Sequence, residues 1–164
     1  MVFFTDAEFE AAFGAHAAGA IRMLGRHAAG ICRDCGGECC RRIRCEFFSG
    51  RFPACPIFDY RPAKCRLYFC ERILENQALS QEERAVLDQP AVEVSEALRR
   101  GWGLGLFIEP PVKIGDRSWL TPLGIEGEVT AAVAALESGS TSADAAAARL
   151  RRIVRRCRGS GPAS

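Results

Sequence analysis

Eight cysteines, Cys32, Cys35, Cys39, Cys40, Cys45, Cys55, Cys65 and Cys70, fall within 39 consecutive residues of a 164-residue chain, and a ninth, Cys157, stands alone near the end. Such a stretch is held by disulfides, by metal, or by burial of reduced thiols, and the redox compartment decides between the first two. The opening run Met1-Val2-Phe3-Phe4-Thr5-Asp6-Ala7-Glu8-Phe9-Glu10 carries three acids and no base, so it does not read as an export signal. No apolar run approaches the roughly 18 residues of a membrane-spanning helix; the patch from Leu104 to Ile108 is far too short. The expectation is a soluble, cytoplasmic protein without a membrane span, with its thiols kept reduced.

Thiolate is a soft ligand suited to zinc and to iron–sulfur clusters, and a Cys-x-x-Cys step sets two sulfurs on one tight backbone turn. Cys32-Arg33-Asp34-Cys35 is such a step, and Gly36-Gly37 beyond it lets the backbone turn tightly before Cys39-Cys40. Adjacent side chains diverge, so Cys39 and Cys40 are not expected to serve one zinc ion together; one of them bridges to a second metal or packs as a non-ligand. His16 and His27 lie eleven residues apart, about 16 Å along a helix, and cannot chelate one ion as a pair. The ligands expected are therefore all sulfur: Cys32, Cys35, Cys39, Cys40, Cys45, Cys55, Cys65 and Cys70, as two four-cysteine sites or as one site with spare thiols. Between Cys32 and Cys70 eight Lys and Arg face four acids, a surplus of four positive charges. Two divalent ions in tetrathiolate sites would carry about four negative charges, which that surplus offsets. A dry shell of aromatics and the Cys55-Pro56 step favour iron–sulfur slightly over zinc. Arg61 and Arg66 are the candidate groups around the centre, donating hydrogen bonds to sulfurs or to backbone carbonyls. If Pro62 opens a helix, Cys65 and Cys70 lie about 140° apart around its axis and face different surroundings.

The pattern Cys32-x-x-Cys35-x-x-x-Cys39-Cys40, then Cys45-x-Phe47, then Cys55-x-Ile57-Phe58-x-x-Arg61-Pro62-x-x-Cys65-Arg66-x-Tyr68-x-Cys70 resembles the CxxCxxCC, or YkgJ-type, cysteine-cluster family. The resemblance spans about a quarter of the chain and implies a zinc- or iron-chelating domain. Only Arg41 to Arg44 separate Cys40 from the next cysteine, shorter than is common in that family, which implies a truncated pocket. Some members are similar to flagellin lysine methylases, but this chain has no cofactor-binding motif of its own to match.

Elsewhere the chain reads as helix. Thr5 and Glu8 have capping-box spacing, and an apolar stripe through Phe9, Phe13, Ala17, Ala20, Ile21 and Leu24 predicts a helix from about Asp6 to Leu24. From Ile31 to Pro62 the helical period vanishes. Two helices are expected between Ser80 and Arg100, a break at Gly101 to Gly105, and a loop or short hairpin from Phe107 to Trp119 around the Gly115-Asp116 turn signal. Helices are expected again from Gly124 to Leu136 and from Ala143 to Arg156, with Ser138 to Ser142 between them as a flexible joint. The fold class expected is mostly α: a single domain over residues 1–158 with an irregular, metal-organised cysteine segment (32–70) between flanking helices, and a disordered tail at 159–164.

The last helix is amphipathic and cationic, with Leu150, Ile153, Val154 and Cys157 on one face and Arg149, Arg151, Arg152, Arg155, Arg156 and Arg158 around them. The favoured reading is a surface helix packed on the core, with Cys157 a core residue and not a ligand. The function expected is a metal-binding protein, structural or metal-handling, whose partners are the metal ion or cluster and a further protein. One alternative is an iron–sulfur-dependent redox or methyl-transfer enzyme. A second, less favoured, is a nucleic-acid-binding protein that uses the arginine helix.

Overall fold

The computed structural model describes residues 3–68, 70–75, 80–81 and 112–158. Nearly all of the chain between Ser80 and Arg100, the Gly101 to Gly105 break and the tail at 159–164 lie outside the described residues. The protein is mostly helical. Among the described residues no helix is long and apolar enough to cross a membrane.

Helix α1 spans Asp6–Phe13 and opens on the expected capping box, with the Glu8 amide donating to Thr5 Oγ1 at 3.2 Å and the Thr5 amide to Glu8 Oε2 at 2.7 Å. The single helix predicted from Asp6 to Leu24 is in fact two. Gly14 takes a φ of +87°, closing α1, and α2 runs from Ala15 to Asp34. The positive φ is open to glycine at no steric cost, which makes Gly14 the hinge between α1 and α2. Helix α2 also continues ten residues past Leu24, so the irregular segment begins later than the lost period suggested. Gly25 and Gly30 weaken that extension by roughly 1 kcal/mol each, but Ala28 on it is fully buried.

Phe4, Phe9, Phe13, Ala17, Ala18 and Ile21 form one apolar core between α1 and α2, and Ala63 and Leu67 of helix α4 (Ala63–Leu67) pack on it. Two short helices flank α4 in sequence: α3 (Glu38–Arg42), which follows α2, and α5 (Glu71–Leu74), which packs against α2.

The second and larger core lies at the other end of the chain. A two-stranded antiparallel hairpin, β1 (Lys113–Ile114) and β2 (Arg117–Ser118), turns where the Gly115-Asp116 signal placed it. Helices α6 (Glu126–Glu137) and α7 (Ala143–Cys157) follow, within a residue or two of the expected bounds, and pack on each other. Val129, Ala132 and Leu136 of α6 meet Ala146, Leu150, Ile153 and Val154 of α7. Onto this pair fold Cys45, Phe47, Phe52 and Ile57, so the irregular segment contributes a side of the core. Phe3 stands edge-on to Phe47 at 6.2 Å while Phe4 sits in the first core, which ties the two cores through adjacent residues.

Polar contacts fasten the same segment. Glu46 accepts from the Ser118 hydroxyl at 2.5 Å and from the Trp119 amide at 3.3 Å. The Ser49 hydroxyl donates to Glu137, and Arg51 donates to the Leu136 carbonyl at 3.0 Å.

Much of the cationic face of α7 is spent in this way too. Arg151 donates to the Pro56 carbonyl at 3.4 Å, and Arg155 donates to the Tyr60 hydroxyl. The guanidinium groups of Arg155 and Arg158 stack on the Tyr60 ring at 4.9 and 5.0 Å. Arg156 pairs with Glu128 at 2.6 Å, and Arg158 donates to the Phe4 carbonyl at 3.1 Å. Helix α7 is thus a surface helix packed on the core, and Cys157 packs against that core as expected.

Candidate metal centre

Among the described residues no disulfide forms, and all nine cysteines are thiols. The cluster cysteines come from separate elements: Cys32 from the last turn of α2, Cys35 at its C-cap, Cys39 and Cys40 from α3, Cys45 and Cys55 from the irregular segment, Cys65 from α4, and Cys70 from the N-cap of α5.

The turn after α2 sets the geometry. Gly37 has φ +70° and caps α3, and its amide donates to the Cys32 carbonyl at 3.3 Å, folding α3 back on the end of α2. The Cys35 thiol donates to the same carbonyl at 3.4 Å. The ring of Phe48 lies directly over Gly37. That contact holds the Cys45 to Phe48 turn against the turn bearing Cys35 and Cys39.

The sulfurs fall into two neighbouring groups. In the outer group Cys35 and Cys70 raise the proton affinity of both Cys32 and Cys39, as does Cys40 of the inner group. Burial pushes the Cys32 thiol up to about 11, with Cys35 and Cys70 adding to it and Arg61 opposing. Burial raises Cys39 as well, and the Tyr68 hydroxyl donates to its sulfur. Cys35, Cys39 and Cys70 line an open cleft of about 430 Å³, whose walls include Arg42, Tyr68 and the Glu38–Arg72 ion pair at 3.5 Å.

The inner group is Cys40, Cys45 and Cys55. Thiols of Cys45 and Cys55 both donate to the Cys40 sulfur, which pulls Cys40 down to about 3, helped by Arg61. Cys45 and Cys55 are pushed up correspondingly, first by that bond to Cys40 and then by burial. Cys45 is buried in the larger core, and Cys40 and Cys55 pack against it. Both on α3, Cys39 feels Cys70, Cys35, Cys40 and Tyr68, while Cys40 is bonded by Cys45 and Cys55.

Arg61 is the cation common to both groups, lowering Cys32, Cys40 and Cys55. Its Nε donates to the Phe58 carbonyl at 2.9 Å and its guanidinium stacks on the Phe58 ring at 3.8 Å. Arg66 is turned elsewhere: it pairs with Asp6 at 2.9 Å and stacks on Phe9 at 4.1 Å, a buried strut between α4 and α1. Cys65 sits half-buried on α4. The argument from a shared helix does not apply to it, because α4 ends at Leu67, Tyr68 is extended, and Cys70 starts a new helix.

His16 and His27 both lie on α2. The contact of Tyr68 with sulfur was not foreseen, although the tyrosine stands two residues before Cys70. As they stand, no three His, Cys, Asp or Glu side chains among the described residues surround a common point as metal ligands; the inner thiols hydrogen-bond one another instead. No family model, no curated protein and no solved structure matches the chain.

Proposed function

We propose that the segment from Cys32 to Cys70 is an all-cysteine metal centre for zinc or an iron–sulfur cluster, and that the protein serves as a structural or metal-handling module. The observation that supports this reading best is convergence: four separate elements bring at least seven thiols into two adjoining groups, with no disulfide among them. The donor chemistry fits a soft metal, since sulfur is the ligand type present and the neighbouring thiols pull the Cys40 thiol down toward its thiolate form. Metal supplies what the hydrogen bonds among the inner thiols supply without it, a counter-charge that lets several thiolates stay close; the thiols give up their protons on binding. Arg61, between the groups, offsets the remaining charge.

The resemblance to the YkgJ-type family points the same way, and a reducing compartment such as the cytoplasm is the setting this chemistry requires. The nucleic-acid reading loses ground by comparison, because Arg151, Arg155, Arg156 and Arg158 already hold Pro56, Tyr60, Glu128 and Phe4.

The test is anaerobic purification without chelators, followed by elemental analysis and an absorption spectrum. Stoichiometric zinc in a colourless protein, or iron in a brown one, is the expected result. A folded, metal-free protein with eight reactive cluster thiols ends the reading.

A further inference from the structure

We infer that the basic stretch 41–44 at the end of α3 and the β1–β2 hairpin form one docking surface for an anionic lipid membrane, an inference independent of metal at the cysteines. The antiparallel bridge between Cys45 and Val112 joins them: Arg44 stands one residue before Cys45 and Lys113 one residue after Val112, so the two are neighbours across it. Arg41, Arg42 and Arg44 are exposed, as are Lys113 and Arg117 on the hairpin. None of these five makes an ion pair among the described residues, and Asp116 is the one acid within the two stretches. The arginines of α7 differ, since Arg151, Arg155, Arg156 and Arg158 are already engaged. Backbone geometry fixes how the stretch is displayed. Arg44 takes φ +52°, the one positive φ outside glycine among the described residues, and the Arg44 and Cys45 amides donate to the Arg41 and Cys40 carbonyls at 3.1 and 2.9 Å.

Apolar side chains stand among these cations. Ile114 is 65% exposed and Ile43 40%, and Tyr68, at 57%, shares the wall of the cysteine cleft with Arg42. A single exposed isoleucine needs no explanation, but these are the large apolar side chains left exposed among the described residues, and all three border the same basic stretch or the hairpin bridged to it. That mixture selects the partner. The core of a protein–protein interface is depleted of charge, whereas here cations and aliphatic tips are interleaved. Single-stranded nucleic acid calls for aromatic faces on which bases stack, and neither isoleucine offers one. At an anionic bilayer the two kinds of side chain are satisfied at different depths: guanidinium and ammonium groups meet the charged headgroups, and the isoleucine tips enter the acyl boundary below them. The Tyr68 ring, apolar with a polar tip, suits the layer between.

The experiment is cosedimentation of the reduced, full-length protein with vesicles of mixed phosphatidylserine and phosphatidylcholine, and with vesicles of phosphatidylcholine alone. Binding to the mixed vesicles at low salt is expected, weakening as added salt screens the surface charge. Replacing Arg41→Gln and Lys113→Gln together should weaken it roughly twentyfold, about fivefold for each charge removed. Ile114→Ser should weaken it about fivefold through lost apolar contact. The same change of charge on α7, Arg149→Gln with Arg152→Gln, should weaken it far less. No sedimentation with the mixed vesicles at low salt overturns the inference, and retention on duplex DNA or polyglutamate in that case identifies another partner. Equal binding to the neutral vesicles overturns it too, as does a loss in the α7 variant as large as that in the Arg41 and Lys113 variant. The substituted side chains are exposed, and the wild type compared across vesicles and salt decides the outcome without any variant. Metal content enters none of these readouts, so the metal-centre reading stands or falls separately.

Discussion

Gly37 offers the sharpest test of how the cluster is assembled, with Gly36 as its internal control. Both have positive φ, +61° and +70°, so an alanine at either carries the left-handed penalty of about 1–2 kcal/mol. Both replacements also recover about 0.4–1 kcal/mol by reducing the freedom of the unfolded chain. The surroundings separate them. A Cβ on Gly36 would meet nothing nearer than Arg41 Nη2 at 3.9 Å, whereas one on Gly37 would lie 2.6 Å from both Cε2 and Cζ of Phe48. That ring is rigid, packs against the larger core and lies 6.5 Å from the Phe52 ring, so it must be driven off its seat. Overpacking of this kind costs about 1–3 kcal/mol. Gly36→Ala is therefore expected to cost about 0–1.5 kcal/mol and Gly37→Ala about 1–4.5 kcal/mol. Urea unfolding of the reduced, metal-free proteins, followed by far-ultraviolet circular dichroism, measures the difference. In the loaded protein Gly37→Ala should also lower the metal content, since displacing Phe48 parts the Cys45 turn from Cys35 and Cys39. Equal unfolding midpoints for the two variants would refute the claim that Phe48 over Gly37 holds the sulfur groups together.

The metal-free, reduced protein should lose stability as pH climbs from about 9 toward 11, because Cys32, Cys45 and Cys55 hold their protons more tightly folded than unfolded; urea midpoints across that range check it. Cys40 works in the opposite sense: its contribution is complete above about 9 and fades as pH falls toward 3, so one thiolate should persist in the ultraviolet spectrum at neutral pH and vanish in Cys40→Ser. Phe47→Ala removes a fully buried ring from the larger core and should cost about 3–5 kcal/mol in the same urea assay. Cys157→Ser should leave metal content unchanged, because its thiol bonds the Ile153 carbonyl of its own helix at 3.6 Å, whereas Cys32→Ser should lower it; elemental analysis of both variants decides.

What the sequence made legible was whatever has a local cause. Thr5 and Glu8 cap α1 through atoms three residues apart, Gly115 and Asp116 turn the hairpin, and the alternation of Leu, Ile and Val with Arg sets the buried face of α7. Features decided at a distance were not legible. Nothing in Gly25 to Asp34 reveals that α4 and α5 pack on α2 and sustain it past its glycines. Arg66 reads as a neighbour of sulfur because it follows Cys65, yet a carboxylate sixty residues earlier claims it. The arginines of α7 read as a basic face turned to solvent, while their partners, Pro56, Tyr60 and Phe4, lie 95 or more residues away in the chain. In a segment without period, the pattern of cysteines identifies the donors but leaves their grouping to contacts such as Phe48 over Gly37.

The same distinction bears on how metal binding and folding are coupled. Helices of four or five residues lie far below the length at which a helix is stable by itself in water, so α3 and α5 depend on what their side chains meet. For α3 the inner face meets the larger core through Cys40, but its outer face, with Cys39, meets the cleft. Helix α5 packs on α2 and reaches the rest of the site through Cys70 and the exposed Arg72 pair, a contact worth roughly 1 kcal/mol at most. Burial thus already secures Cys45 without metal, and on the proposed reading metal there would add to an order that exists. At the outer group the order of α3 and α5 relative to each other is set by whatever joins Cys39 to Cys70, so on the proposed reading the energy of metal binding there would become local folding energy. On the proposed metal-centre reading, a protein built in this way would respond to metal at its cleft while keeping both of its cores.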